Sequence, residues 1–207
     1  MASPAPPPPP QRRFQNPSLF ICDIQTAFAK TIHQFPLVLS TTCKLIRFAS
    51  ALQIPIYVTT QNRSRLGDTV PELGSIIPPR LVRADLDKTK FSMFLPEISS
   101  ALAPGSEICL VGIESHICVT QTALDLLEAG HRVYVIADAV SSSNKEEVPI
   151  ALERLRRAGA VVTSSESWMY ECMGDAGLPE FKEVIKLVKD TAEGTRAGLQ
   201  GLVGSKI

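Results

Sequence analysis

The chain has no surplus of charge: 21 Lys and Arg balance 21 Asp and Glu over 207 residues. A nucleic-acid partner or an anionic membrane surface calls for basic excess, so neither is expected. The apolar runs break before the roughly 18 residues that a spanning helix needs, which predicts a soluble chain. Five cysteines, Cys22, Cys43, Cys109, Cys118 and Cys172, form no CxxC pair and no zinc-finger spacing. Their number is odd and no hydrophobic signal peptide precedes them, so free thiols in a reducing compartment are expected, the cytoplasm or else the mitochondrion. The three histidines, His33, His116 and His131, have no mutual spacing suited to a metal. No glycine-rich phosphate loop follows the first strand, which argues against a nucleotide-binding protein. No cofactor is expected.

What is there fits one domain, since 207 residues suffice for a sizeable core and are short for two. Residues 1–16 form a leader with an unbroken run from Pro6 to Pro10, then Arg12 and Arg13. Such a tract favours a solvated polyproline conformation and is expected to be disordered; docking to a proline-binding module is the alternative. After it, strands and helices alternate. Strands are predicted at Ser18–Ile24, Ile54–Thr59, Glu107–Val111, Arg132–Ala137 and Ala160–Thr163. Helices are predicted around Val38–Leu52, Ile117–Leu127, Lys145–Ala158 and Pro179–Lys189. The stretch from Gln61 to Phe94, punctuated by Gly67, Pro71, Gly74, Pro78 and Pro79, reads as irregular. This alternation implies right-handed crossovers, hence a three-layer α/β/α domain over residues 17–190 around a mainly parallel, Rossmann-like sheet. Residues 191–207 form a Gly-rich tail.

The most informative run is Val111-Gly112-Ile113-Glu114-Ser115-His116-Ile117-Cys118. It joins an apolar strand to an amphipathic helix, with Ser115 as a candidate N-cap and a thiol in the first helical turn. Free N–H groups and the helix dipole there favour a thiolate. The plainer reading is a cysteine acting as a small core hydrophobe. In parallel sheets ligands bind beyond the carboxyl ends of the strands. That rule gathers Asp23, Gln61, Cys118 and Asp138, the last with a capping role as its alternative. His116 stands two residues from Cys118, and residues so spaced on a helix do not face each other, so a rim or subunit contact is expected. Trp168, the sole tryptophan, is expected to pack in the core or an interface.

Three segments occur in order here: Ile21-Cys22-Asp23-Ile24-Gln25, Lys88-Thr89-Lys90-Phe91-Ser92, and Gly112 to Cys118. Their order and spacing resemble the isochorismatase-like cysteine hydrolases, a superfamily that includes nicotinamidases, N-carbamoylsarcosine amidases and ureidoacrylate amidohydrolases. Gln121-Thr122-Ala123-Leu124-Asp125-Leu126-Leu127 and Gly174-Asp175-Ala176 are similar to the eukaryotic isochorismatase domain-containing proteins. The resemblance implies Asp23 as proton acceptor, Lys88 as the cation and Cys118 as nucleophile. It further implies a non-proline cis peptide between Ile113 and Glu114, aiming the N–H groups of Glu114 and Cys118 at an oxyanion. Phe28 matches a position that packs against substrate; an ordinary core aromatic is the other reading. A homo-oligomer is implied as well.

One departure shapes the substrate. Nicotinamidases bind a metal through an aspartate and histidines after the second strand, whereas Thr59 to Asp68 contains no histidine. The namesake isochorismate reaction cleaves a vinyl ether and needs no thiol. A metal-independent hydrolysis of a small amide or ureide C–N bond through an acyl-cysteine is therefore expected. A binding or scaffold protein that retains the fold without catalysis is the alternative.

Overall fold

The computed structural model describes residues 11–204, and the Pro6–Pro10 run lies outside them. Strands β1 (Pro17–Cys22), β2 (Ile56–Gln61), β3 (Val82–Lys88), β4 (Glu107–Ile113), β5 (Arg132–Ser141) and β6 (Val161–Thr163) form a sheet ordered β3-β2-β1-β4-β5-β6. Every pairing is parallel. The helices are α1 (Phe35–Leu52), α2 (Arg63–Leu66), α3 (Pro71–Gly74), α4 (Pro96–Ala101), α5 (Thr120–Glu128), α6 (Glu147–Arg157), α7 (Ser165–Met173), α8 (Phe181–Asp190) and α9 (Ala192–Gly198). This is the expected three-layer α/β/α architecture.

Side chains alternate across each strand, so β1 feeds two cores at once. Leu19 and Ile21 join Val58, Val111, Tyr134 and Ile136 under α1, α7 and α8, whereas Phe20 and Cys22 join Leu110, Val133 and Val135 under α5 and α6. Strand order reverses around β1, whose neighbours β2 and β4 are reached by crossovers in opposite directions. The carboxyl ends of β1 and β4 stand at this switch point, the usual ligand position in such sheets.

Several local expectations change. The stretch read as irregular holds an edge strand, β3, in which Val82, Ala84 and Leu86 are half-buried and Arg83, Asp85 and Asp87 exposed. Its alternation is the half-buried strand pattern, masked by the prolines before it. Helix α7 occupies a segment assigned no element. Part of the leader is packed: Phe14 is buried against Tyr134 and Trp168, and Arg12 donates to Leu52 O at 2.8 Å. The Phe14 ring, an Arg12–Glu180 ion pair and Asn16 N–H donating to Glu107 Oε2 at 2.9 Å together hold residues 11–16 on the domain. The Gly-rich tail is helical as far as it is described, and its glycines let it lie close on α1. A Cβ at Gly201 would stand 2.4 Å from Leu37 Cδ1, and one at Gly198 would stand 3.2 Å from Thr41 Oγ1. By length and composition α1 could cross a membrane, yet over half of it is buried in the core beside the sheet.

Candidate active site

Asp23 follows β1 with φ of 52°, a left-handed conformation rare outside glycine and tolerated best by Asp and Asn. Its carboxylate is buried, accepting from Thr59 Oγ1 at 2.8 Å through Oδ1 and from Lys88 Nζ at 2.7 Å through Oδ2. Lys88 ends β3, in register with Gln61 of β2. An ammonium has three N–H groups, and Lys88 donates to Asp23 Oδ2, to Gln61 Oε1 at 2.7 Å and to Phe91 O at 2.9 Å. Cys118 Sγ lies 3.9 Å from the same nitrogen. Burial alone would lower the pKa of Lys88. The pull of Cys22 and Cys118 in their ionised forms, together with that of the Asp23 carboxylate, outweighs it and leaves the pKa above its ordinary value.

Cys118 sits in a wide turn, Ser115–Val119, closed by Val119 N–H donating to Glu114 O at 3.2 Å. Ser115 does not cap it: Glu114 takes that place, and the Ser115 hydroxyl is buried without a hydrogen-bond partner. The turn's wide hydrogen bond displaces the start that an ordinary helix would have had. The Ile113–Glu114 peptide is cis. Glu114 Oε2 accepts from both Ser143 N and Ser143 Oγ at 2.7 Å, fixing the turn to the loop after β5. Gly112 just before it has φ of 116°, and a Cβ there would stand 2.0 Å from Cys22 O, so only glycine lets β4 approach β1 at this level. Thr122 joins the two halves of the site, donating to Cys118 O at 2.6 Å and accepting from Met93 N at 2.9 Å.

The isochorismatase domain model matches residues 17–167. The chain belongs to the isochorismatase family. It is 43% identical over 176 residues to the secreted isochorismatase effector Isc1 of Phytophthora sojae, covering 83% of this chain and 84% of that protein. It is 40% identical over 177 residues to isochorismatase domain-containing protein 2 of Xenopus laevis, covering 84% of each. Among solved structures, the MAR1 ribonuclease of Caenorhabditis elegans aligns with a TM-score of 0.79 and 41% identity, over 84% of this chain and 90% of that one.

Within this isochorismatase fold, Asp23, Lys88, Gln61 and Cys118 converge on one ammonium. Phe28 does not join them. It is half-buried on the single turn Thr26–Lys30 and packs on the α1 side of the sheet, against a different cluster from Cys118. Gln61 is not a free pocket group, since its Nε2 donates to Thr89 O at 2.9 Å while its Oε1 holds Lys88. Three contributors were not identified from sequence. Thr59 carries no motif of its own, and Thr122 stands in the segment Gln121 to Leu127 without a role attached to it. Gln25 is fully buried, donates to Gln61 O and Gly67 O, and accepts from Gln61 N. His116 Nδ1 meets Ser142 Oγ at 3.0 Å, away from the sulfur, and Trp168 packs edge-on against Phe48 in the core. Among the described residues, no three His, Cys, Asp or Glu side chains cluster as metal ligands would.

Proposed function

We propose that this isochorismatase-family chain cleaves the C–N bond of a small amide or ureide through an acyl-cysteine, with no metal or cofactor taking part. The observation that carries this reading is a buried lysine gripping a buried aspartate at 2.7 Å with a sulfur 3.9 Å from the same ammonium. In the scheme Asp23 takes the Cys118 proton and the thiolate attacks the carbonyl carbon. The N–H groups of Glu114 and Cys118 receive the developing oxyanion. Asp23 then returns the proton to the leaving nitrogen and later accepts one from the water that cleaves the thioester. Lys88, with three acceptors already engaged, stays a fixed cation throughout. Phe28 is assigned to the outer wall of the substrate pocket and Gln61 to the positioning of Lys88.

Incubation with a panel of small amides and ureides, read by intact mass, tests the reading. An acyl adduct on Cys118, absent from Cys118→Ala, is expected; a thiol that alkylates freely but is acylated by no member supports the scaffold alternative. The name of the Phytophthora relative favours a second reading, vinyl-ether hydrolysis. That reaction begins with protonation and needs no nucleophile on sulfur, so Cys118→Ala retaining turnover of isochorismate would select it. An RNA arm covers the activity for which the Caenorhabditis protein is described; the zero net charge weighs against it here. A homo-oligomer belongs to the same proposal, and a monomer mass by light scattering would remove it.

A further inference from the structure

Cys22 is a thiol that acyl transfer leaves unused. It is fully buried at the carboxyl end of β1, on the sheet face that carries Cys118, and both belong to one apolar cluster. In register it faces Gly112, where the missing side chain draws β4 onto β1 directly below the Cys118 turn. Cys118 Sγ lies 3.9 Å from Lys88 Nζ, the same nitrogen that holds Asp23, the neighbour of Cys22, so both thiols lie in the field of that ammonium and of each other. We propose that Cys22 is the resolving thiol of a reversible, peroxide-driven disulfide with Cys118. The proposal rests on Cys118 being the reactive thiol of the preceding scheme.

The chemistry closes without further reactants. The Cys118 thiolate attacks one oxygen of a hydroperoxide; an S–O bond forms, the O–O bond breaks, and the departing oxygen leaves as water or alcohol after taking a proton. Sulfur is oxidised and the peroxide reduced, each by two electrons. The Cys22 sulfur then attacks the sulfenic sulfur; an S–S bond forms, the S–O bond breaks, and the leaving hydroxide takes the Cys22 proton as water. Burial holds the Cys22 pKa well above its ordinary value, so at rest it is a neutral thiol that does not compete for substrate. The disulfide stores the nucleophile in a form that a dithiol restores, instead of the irreversible sulfinic and sulfonic acids.

A second thiol pair supplies an internal control. Cys109 and Cys172 also share one buried cluster, the one on the opposite face of the sheet, and burial pushes Cys172 up to about 12. The protein is exposed to stoichiometric hydrogen peroxide, denatured, alkylated with iodoacetamide and mapped by mass. All but two of the five cysteines should be alkylated, the missing pair being a Cys22–Cys118 cross-link that dithiothreitol removes. Native-state iodoacetamide labelling of Cys118 should be lost and recovered in step. In Cys22→Ala the labelling should be lost without recovery, with sulfinic or sulfonic acid at Cys118. A stable sulfenic or over-oxidised Cys118 in the unmutated chain, or a cross-link between Cys109 and Cys172, overturns the proposal; neither depends on how the variant folds. A Cys118 that resists iodoacetamide before any peroxide is added points instead to failure of the underlying scheme.

Discussion

Two buried carboxylates, Asp23 and Asp138, occupy comparable places in the sequence, each at the apparent end of an apolar strand, and each has a buried lysine in its field. Their partners separate them. Both oxygens of Asp138 are taken by the start of α7, Ser165 N–H at 2.7 Å and Ser165 Oγ at 2.5 Å. Its lysine, Lys44, donates instead to Thr195 at 2.7 Å, and burial lowers the pKa of Lys44 against the pull of Asp138 and Glu166. Asp23 holds its lysine directly, that lysine is raised rather than lowered, and a thiol shares the field. A carboxylate saturated by a helix start serves packing; one that shares its cation with sulfur is the one to which the proposed scheme gives proton transfer.

The sharpest break between the two sites is expected from deletion of the reacting groups. Cys118→Ala should abolish acylation outright. Asp23→Ala should cut turnover of an acylating substrate by about 10²–10⁴-fold, the usual worth of a positioned acid-base group, with the fold retained. The corresponding Asp138→Ala should leave the turnover of the remaining folded protein unchanged. Equal kinetic losses at both positions would erase the distinction.

Next in size are the lysines. Lys88→Met strands a buried carboxylate, at a cost of about 3–5 kcal/mol in urea unfolding, and should slow iodoacetamide alkylation of Cys118 at neutral pH. Lys44→Met strands no directly bonded acid and should leave alkylation unaltered. The pH dependence has the matching sign. A lysine raised in the folded state contributes stability that is fully present below its unfolded pKa and is lost as pH rises through the folded one. The Lys88 contribution should therefore disappear in strongly alkaline urea melts, and a stability difference between the unmutated chain and Lys88→Met that persists undiminished there would reverse the assignment.

A smaller effect is expected from Asp138→Asn, which keeps one acceptor for the α7 start and weakens the other. About 1–2 kcal/mol of stability should be lost, with Cys118 alkylation unchanged. A slowed alkylation would show that the two carboxylates communicate.

The unequal legibility of these groups has physical causes. Asp23 and Cys118 stand beside the central strands β1 and β4, buried on both faces, whose continuous apolar runs announce themselves. Asp138 was placed at a strand end, but β5 continues to Ser141 through a register shift relative to β4, so the residue lies within a bulge facing α7. Lys88 was visible only through family resemblance, because edge strand β3 carries Arg83, Asp85 and Asp87 on an exposed face and follows Pro78 and Pro79. Gln61 was assigned to the pocket because strand position gives location and not hydrogen bonding. Phe14 and the glycines at 194, 198 and 201 looked like leader and tail composition; their roles depend on close packing against residues distant in sequence.

The finest probe of the contrast is the amide that the sequence assigned to substrate. Gln61→Glu retains an oxygen to accept from Lys88 but turns the Thr89 side from an N–H donor into a second acceptor facing a carbonyl. It also adds a negative charge beyond the lysine. At an effective dielectric near 20 such a charge acts on the sulfur with an energy on the order of 1–3 kcal/mol, part of which Lys88 absorbs. The pH profile of Cys118 alkylation should then move to higher pH, slowing the neutral-pH rate by about tenfold or less. Gln61→Met removes the acceptor without adding charge and should leave the profile nearly in place. A Met variant that shifts it as far as Glu would mean that Gln61 acts by holding the chain at β2 and not through the charge on Lys88; the distinction between a packed and a reactive carboxylate would then rest on Asp23 and Cys118 alone.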